Sequence, residues 1–78
     1  MTITGIVYER KEQVLADVEV TEVGEYKKVS VKVNDVEVIR FPLPAAADTN
    51  EIALRTGNVV NQTGLVENPV RVEITETP

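Results

Sequence analysis

The clearest structural signal in the chain lies at residues 26–38, which read YKKVSVKVNDVEV. Valine occupies every second position on both sides of Asn34-Asp35, and lysine, serine or glutamate stands between the valines. Period-two alternation of this kind predicts antiparallel strands with one buried face. Asn and Asp both tolerate positive φ, so Asn34-Asp35 predicts a two-residue hairpin turn of type I′.

The same alternation runs toward the N-terminus, over residues 2–8 and 14–20. Turns centred on Arg10-Lys11 and Val23-Gly24 would bring the valines of all four strands onto one face. We therefore predict a four-stranded antiparallel meander over about residues 2–41. The register expected from these turns pairs Val7 with Val14, Val18 with Val29, Val33 with Val36, Glu19 with Lys28, and Lys32 with Glu37.

The alternation breaks at Ile39-Arg40, because continuing it would point Arg40 into the core. We expect a bulge or bend at this point. Pro42 and Pro44 follow directly. Proline has no backbone N–H to donate to a neighbouring strand, so the two prolines should end the meander.

Two interpretations remain open for the segment after the prolines. Asp48 with Glu51 could cap a short helix that Gly57 would end. A strand over residues 51–56 is favoured instead, because apolar and polar residues alternate there. Further along the chain, residues 70–75 have the alternation of a strand.

Composition supports a β class for the whole chain. Of its 78 residues, 15 are valine and 8 are threonine, both β-branched types that pack well on a sheet. We predict a single all-β domain spanning residues 1–78, a small antiparallel β-sandwich or barrel. It would consist of the meander and two or three further short strands.

Catalytic groups are scarce. The chain has no cysteine and no histidine, which removes thiolate chemistry, the commonest metal ligand and the usual general base. Its one serine, Ser30, lies within a predicted strand and has no base beside it. The oxygen-rich segment Asp48-Thr49-Asn50-Glu51 lacks calcium-loop spacing and is better explained as a helix cap or turn. We predict no enzyme activity, no cofactor and no metal site.

Charge and hydropathy narrow the range of partners. The formal net charge is −5, and no basic cluster is present to neutralise phosphates, so nucleic acid is not an expected partner. No apolar run approaches the ~20 residues that cross a bilayer, and no basic segment precedes an apolar one as in a signal peptide. We expect a cytoplasmic or virion protein that does not bind membranes.

Several large apolar side chains fall on the face that alternation assigns to solvent. In the expected register Ile6 lies opposite Leu15, Tyr8 is beside them, and Ile39 is at the far edge. Either the second half of the chain covers this face, or the face meets a partner. The predicted partner contacts are Ile6, Tyr8, Leu15, Tyr26 and Ile39.

We interpret the chain as a non-enzymatic structural or assembly protein, such as a small virion or decoration component. Its partner would be a protein, either a second copy or a larger assembly. One alternative is a small acidic inhibitor or adaptor that occupies the basic cleft of a nucleic-acid enzyme. This function requires a continuous acidic surface without interleaved lysines. The residues that would form its centre are Asp17, Glu19, Glu22 and Glu25. A third, weaker interpretation is a carbohydrate-binding sandwich, which the scarcity of aromatic residues disfavours.

Overall fold

One open antiparallel sheet with a single helix on one face makes up the protein. The computed structural model describes residues 2–78, apart from the side chain of Lys11. The strands lie in the order β4-β3-β2-β1-β5. In chain order the elements are β1 (Thr2–Glu9), a 3-10 turn (Arg10–Glu12), β2 (Gln13–Val23), β3 (Tyr26–Val33), β4 (Val36–Pro44), α1 (Thr49–Gln62) and β5 (Arg71–Thr77).

The predicted meander is confirmed, since β1 to β4 are neighbours in sequence and in space. Its third turn forms as expected, with Val33 opposite Val36. Asn34 and Asp35 have φ values of 51° and 65°, the conformation that a type I′ turn requires at both central positions. Local turn chemistry was therefore sufficient to predict this hairpin.

The first two hairpins differ from the expected register by two residues. Val7 pairs with Ala16, and Val18 pairs with Val31. The first connection is a three-residue 3-10 turn, and the second turn is centred on Gly24-Glu25, where Gly24 has a φ of 59°. A shift of two residues keeps each side chain on its face. Val7, Val18 and Val31 therefore still face the core, against different partners, whereas Val14 does not.

Two bulges change which side chains point inward. Leu15 is the extra residue of β2, and it packs against the core while Val14 points outward. Val38 is the extra residue of β4, so the irregularity predicted at Ile39-Arg40 lies one residue earlier. This bulge returns Ile39 to the core side and leaves Arg40 exposed.

The strand predicted over residues 51–56 is wrong, because this segment lies within α1. Asp48 caps the helix, and its Oδ1 accepts a hydrogen bond of 2.8 Å from the backbone N–H of Glu51. The helix continues through Gly57 and ends at Gln62. Its buried residues Ile52, Thr56 and Val60 recur every four positions, a helical period that a six-residue window is too short to show.

A single core joins the helix to one face of the sheet. Ile52 and Val60 of α1 belong to one buried cluster with Val7, Val18 and Val31 of the sheet. After the helix, β5 pairs with β1 and completes the sheet.

The chain is thus predominantly β, but the expected sandwich or barrel is not seen in the described residues. Only β5 follows the meander, where two or three strands were expected. The strands β4 and β5 lie at opposite edges of the sheet and do not close it. The second layer is α1, whose apolar stripe covers the buried face that a second sheet would otherwise cover.

Candidate interaction surface

The sheet face opposite α1, called the outer face below, has no layer packed on it among residues 2–78. The strand registers place eight charged side chains on it, and their charges cancel. The net charge of −5 therefore comes from the rest of the molecule. The charged residues of the outer face are Asp17, Glu19, Glu37, Glu73, Lys28, Lys32, Arg40 and Arg71.

Opposite charges alternate between β2 and β3. The Nζ of Lys32 lies 2.9 Å from the Oε2 of Glu19, and Lys32 is also directly opposite Asp17. The hydrogen bond that Lys32 donates to the carboxylate of Glu19 raises the pKa of Lys32. On the other side of the sheet, Glu22 lies opposite Lys27, with 4.0 Å between the Glu22 Oε1 and the Lys27 Nζ. The carboxylates of β2 are thus interleaved with lysines.

Ser30 is buried, and its hydroxyl donates a hydrogen bond to the Oε1 of Glu37. This bond, together with nearby cations that include Arg40, lowers the pKa of Glu37. The Arg40 Nε lies 3.4 Å from the Glu37 Oε2. The serine therefore links β3 to β4 with its hydroxyl already engaged, which is a structural role.

Arg71 connects three elements at the β5 edge. Its guanidinium lies 4.3 Å from the centroid of the Tyr8 ring and pairs with Glu12 of the 3-10 turn. It also pairs with Glu73, with 2.6 Å between Nη1 and Oε2. The hydrogen bonds that Arg71 donates to these two carboxylates raise its pKa. One face of the Tyr8 ring is therefore covered by a cation held in place by two anions.

The structure separates the five predicted partner contacts. Ile6, Tyr8 and Tyr26 lie on the outer face, whereas Leu15 and Ile39 pack against the core. The predicted opposition of Ile6 and Leu15 is wrong, since Ile6 pairs with Asp17 instead. Leu15 and Ile39 face the core because β2 has a bulge at Leu15 and β4 has one at Val38. The alternation of residue types indicated an irregularity only at Ile39-Arg40.

The tyrosines of the outer face lie far apart. Tyr8 pairs with Val14 near the start of β2, and Tyr26 pairs with Val23 at its end. The two valines are nine positions apart along β2, which corresponds to about 30 Å of extended strand. The outer face therefore has two distinct aromatic regions, and Val14 joins Ile6 and Tyr8 in one of them.

A shallow groove of about 350 Å³ lies beside the second tyrosine, where β3 meets β4. It combines two cations with two aromatic residues and a proline, a lining that suits a carboxylate next to an apolar group. The sequence did not indicate this groove, because its cations meet only through the β3–β4 register. Its lining residues are Tyr26, Lys28, Arg40, Phe41 and Pro42.

Residues 2–78 contain no group of three or more His, Cys, Asp or Glu side chains placed to hold a metal ion. The helix of the described chain is too short and too polar to cross a membrane. The chain matches no known protein-family model, and no curated protein or solved structure is significantly similar to it.

Proposed function

We propose that this chain is a non-enzymatic structural or assembly protein that acts through protein–protein contacts, such as a small virion or decoration component. The observation that carries the proposal is a sheet covered on one face only, in the part of the chain that the structure describes. A chain of this length buries only ~60% of the surface that it exposes when unfolded. Contact with a partner would add the burial that a larger domain obtains internally.

The outer face offers apolar surface for such a contact. Ile6, Tyr8 and Val14 form one apolar region, and Val14 is 62% exposed. Exposed apolar groups at adjacent positions on a small monomer are typical of an interaction site. A partner sheet over this region would also complete the two-sheet sandwich that the sequence led us to expect, as a property of the assembly.

The arrangement of charged and aromatic residues disfavours both alternative functions, the inhibitor of a basic cleft and the carbohydrate-binding sandwich. An inhibitor of a basic cleft needs a continuous acidic surface, whereas Asp17 and Glu19 adjoin Lys32. A carbohydrate site needs aromatic rings that stack on one sugar chain, whereas Tyr8 lies under Arg71 and Tyr26 is at the other end of β2.

Two measurements test the proposal. Size fractionation of the native source, with antibody detection of the chain, should find it in particles much larger than its 8.6 kDa. Val14→Lys should shift the chain toward smaller particles, because it places a charge in the apolar region of the outer face. Val36→Lys is the matched control, since Val36 is also 62% exposed but lies on β4, away from that region. Recovery of wild-type chain only as a free monomer would refute the proposal.

A further inference from the structure

The two edges of the sheet differ in how well they are protected. The β4 edge has a bulge at Val38 and two prolines, Pro42 and Pro44. Bulges and prolines are devices by which natural proteins prevent strand addition at an edge. In contrast, β5 pairs with β1 over seven consecutive residues, without a proline or a bulge. The β5 edge thus has neither of these two devices, although three of its residues are charged.

We propose that β5 pairs antiparallel with β5 of a second copy of this chain, about a two-fold axis that passes through Val72. The inference deepens the proposed function by naming one partner, the edge and the register. The pairing continues the sheet across both copies and places both helices on the same side. The interface is isologous, so each copy contributes the same residues.

The charged residues of β5 favour this register over the neighbouring ones. With the axis at Val72, Arg71 lies opposite Glu73 of the second copy, and Val70 lies opposite Ile74 of the second copy. An axis at Glu73 would place two carboxylates opposite each other, which destabilises a strand pair. An axis at Ile74 would place Val72 opposite Glu76. Of these three axis positions, only the one at Val72 pairs opposite charges on the outer face and apolar residues on the helix side.

The ion pairs already present favour the same arrangement. Within one copy Arg71 and Glu73 lie 2.6 Å apart and are both about half-exposed. In the pair, the two arginines and the two Glu73 carboxylates would alternate around the axis, so each Arg71 would gain a third carboxylate beside its own Glu12 and Glu73. Networks of this kind contribute more than isolated surface ion pairs.

The helix beside β5 also carries an exposed leucine. Leu54 of α1 is 64% exposed, the largest value among the exposed large apolar residues of the described chain. Gly57 lies next to β5, since a Cβ at this position would be 3.6 Å from Val72 and 4.0 Å from Val70. Residues three apart are neighbours on a helix surface, so Leu54 adjoins Gly57, on the exposed side of α1. Pairing of β5 would bring the two Leu54 side chains toward the junction.

A single strand pair with flanking side chains is a small interface, below about 1,200 Å² in total. We therefore expect a weak dimer, with a dissociation constant on the order of micromolar. Growth beyond the dimer is not expected, because the two outer edges of the joined sheet are the protected β4 strands.

Charge exchange tests the pairing. Sedimentation of wild-type chain from about 5 μM to 1 mM should show dimer formation, an expectation that follows from the size of the interface. Arg71→Glu alone and Glu73→Arg alone should both be monomeric, because each places four like charges around the axis. An equimolar mixture of the two variants should recover the dimer, since every arginine then faces a glutamate. Arg40→Glu, at the opposite edge, is the matched control and should dimerise like wild type.

Cysteine cross-linking tests the register, since the native chain has no cysteine. Under mild oxidation Val72→Cys should form a covalent dimer, because residue 72 faces itself across the axis within the reach of a disulfide. Ile74→Cys should remain monomeric. A covalent dimer of Ile74→Cys alone would overturn the register, and monomers for both variants with a monomeric wild type would overturn the pairing. Large particles in the native source would still support the proposed function in either case.

Discussion

Among single residues, Thr56 departs most clearly from the rule that buried polar groups are hydrogen-bonded. It is fully buried on α1, and its hydroxyl has no hydrogen-bond partner in the described structure. An unpaired buried hydroxyl costs about 1–3 kcal/mol, whereas an apolar group of the same shape does not. Thr56 therefore lowers the stability of the isolated chain.

We expect Thr56→Val to raise the free energy of unfolding by about 1 kcal/mol, because a methyl group replaces the unpaired hydroxyl at similar helix propensity. Urea denaturation followed by circular dichroism measures the change. Thr63→Val is the control, since the Thr63 hydroxyl donates a 3.0 Å hydrogen bond to the carbonyl of Val60, and its loss should destabilise the chain slightly. Destabilisation by Thr56→Val would mean that the hydroxyl has a partner in solution.

Glu37 gives the stability of the protein a pH dependence. Its pKa is held below the ordinary value of 4.5, first by the hydrogen bond from Ser30 and then by nearby cations. A carboxyl group with a lowered pKa in the folded state stabilises the fold above its unfolded pKa. This stabilisation is lost as the pH falls through the folded-state value.

We therefore expect wild type to be more stable than Glu37→Gln at neutral pH, with the difference disappearing as the pH falls below 4.5. Urea denaturation at a series of pH values measures it. In a Ser30→Ala background the same substitution should have a smaller pH-dependent effect, because the largest cause of the shift is then absent. Equal effects in both backgrounds would show that Ser30 does not act on Glu37.

At the scale of elements, two glycines have opposite structural roles. Gly5 lies in β1 between β2 and β5, where a Cβ would be 2.7 Å from the backbone oxygen of Glu73 and would also clash with Ile74. Gly57 lies inside α1, where a Cβ would meet Val72 at an ordinary contact distance of 3.6 Å.

The same substitution should therefore have opposite effects at the two sites. We expect Gly5→Ala to destabilise the chain by about 2 kcal/mol, because strand backbone must move to admit the methyl group. Gly57→Ala should stabilise it by about 0.5–1 kcal/mol, since alanine loses less conformational freedom in a helix. Chemical denaturation of the two variants provides the comparison, and a loss of stability in Gly57→Ala would contradict the packing of α1 on β5.

An element could be predicted from the sequence where residues close together in the chain determine it. The Asn34-Asp35 hairpin was predicted because two residues with a tolerance for positive φ define its turn. The other two hairpins were displaced by two residues, because alternation fixes the face of a side chain but not the length of a turn. The helix over Thr49–Gln62 was the less favoured of two interpretations, with the correct cap at Asp48 and an end placed too early, at Gly57. The strand was preferred because the buried residues of the helix are four apart, beyond the short window in which Ile52 and Leu54 imitate a strand.

Across the whole molecule, the distribution of surfaces matters more than any one side chain. The outer face is electrically balanced, one edge is protected, and the other edge is open. A two-fold pair through β5 would leave protected edges at both ends, so the assembly would be closed. The outer faces of the two copies would then form one continuous surface of twice the area. A larger partner could bind this surface.

The amino-acid pattern alone established the β class, the four-stranded meander, one hairpin turn and the lack of histidine and cysteine chemistry. These properties follow from composition and from contacts between neighbours in sequence. The bulge at Leu15, the exact place of the bulge at Val38, the pairing of β5 with β1 and the packing of α1 became visible only in the folded molecule. They depend on the packing of side chains distant in sequence, as does the meeting of Lys28 and Arg40 in one groove, and no local pattern encodes such contacts.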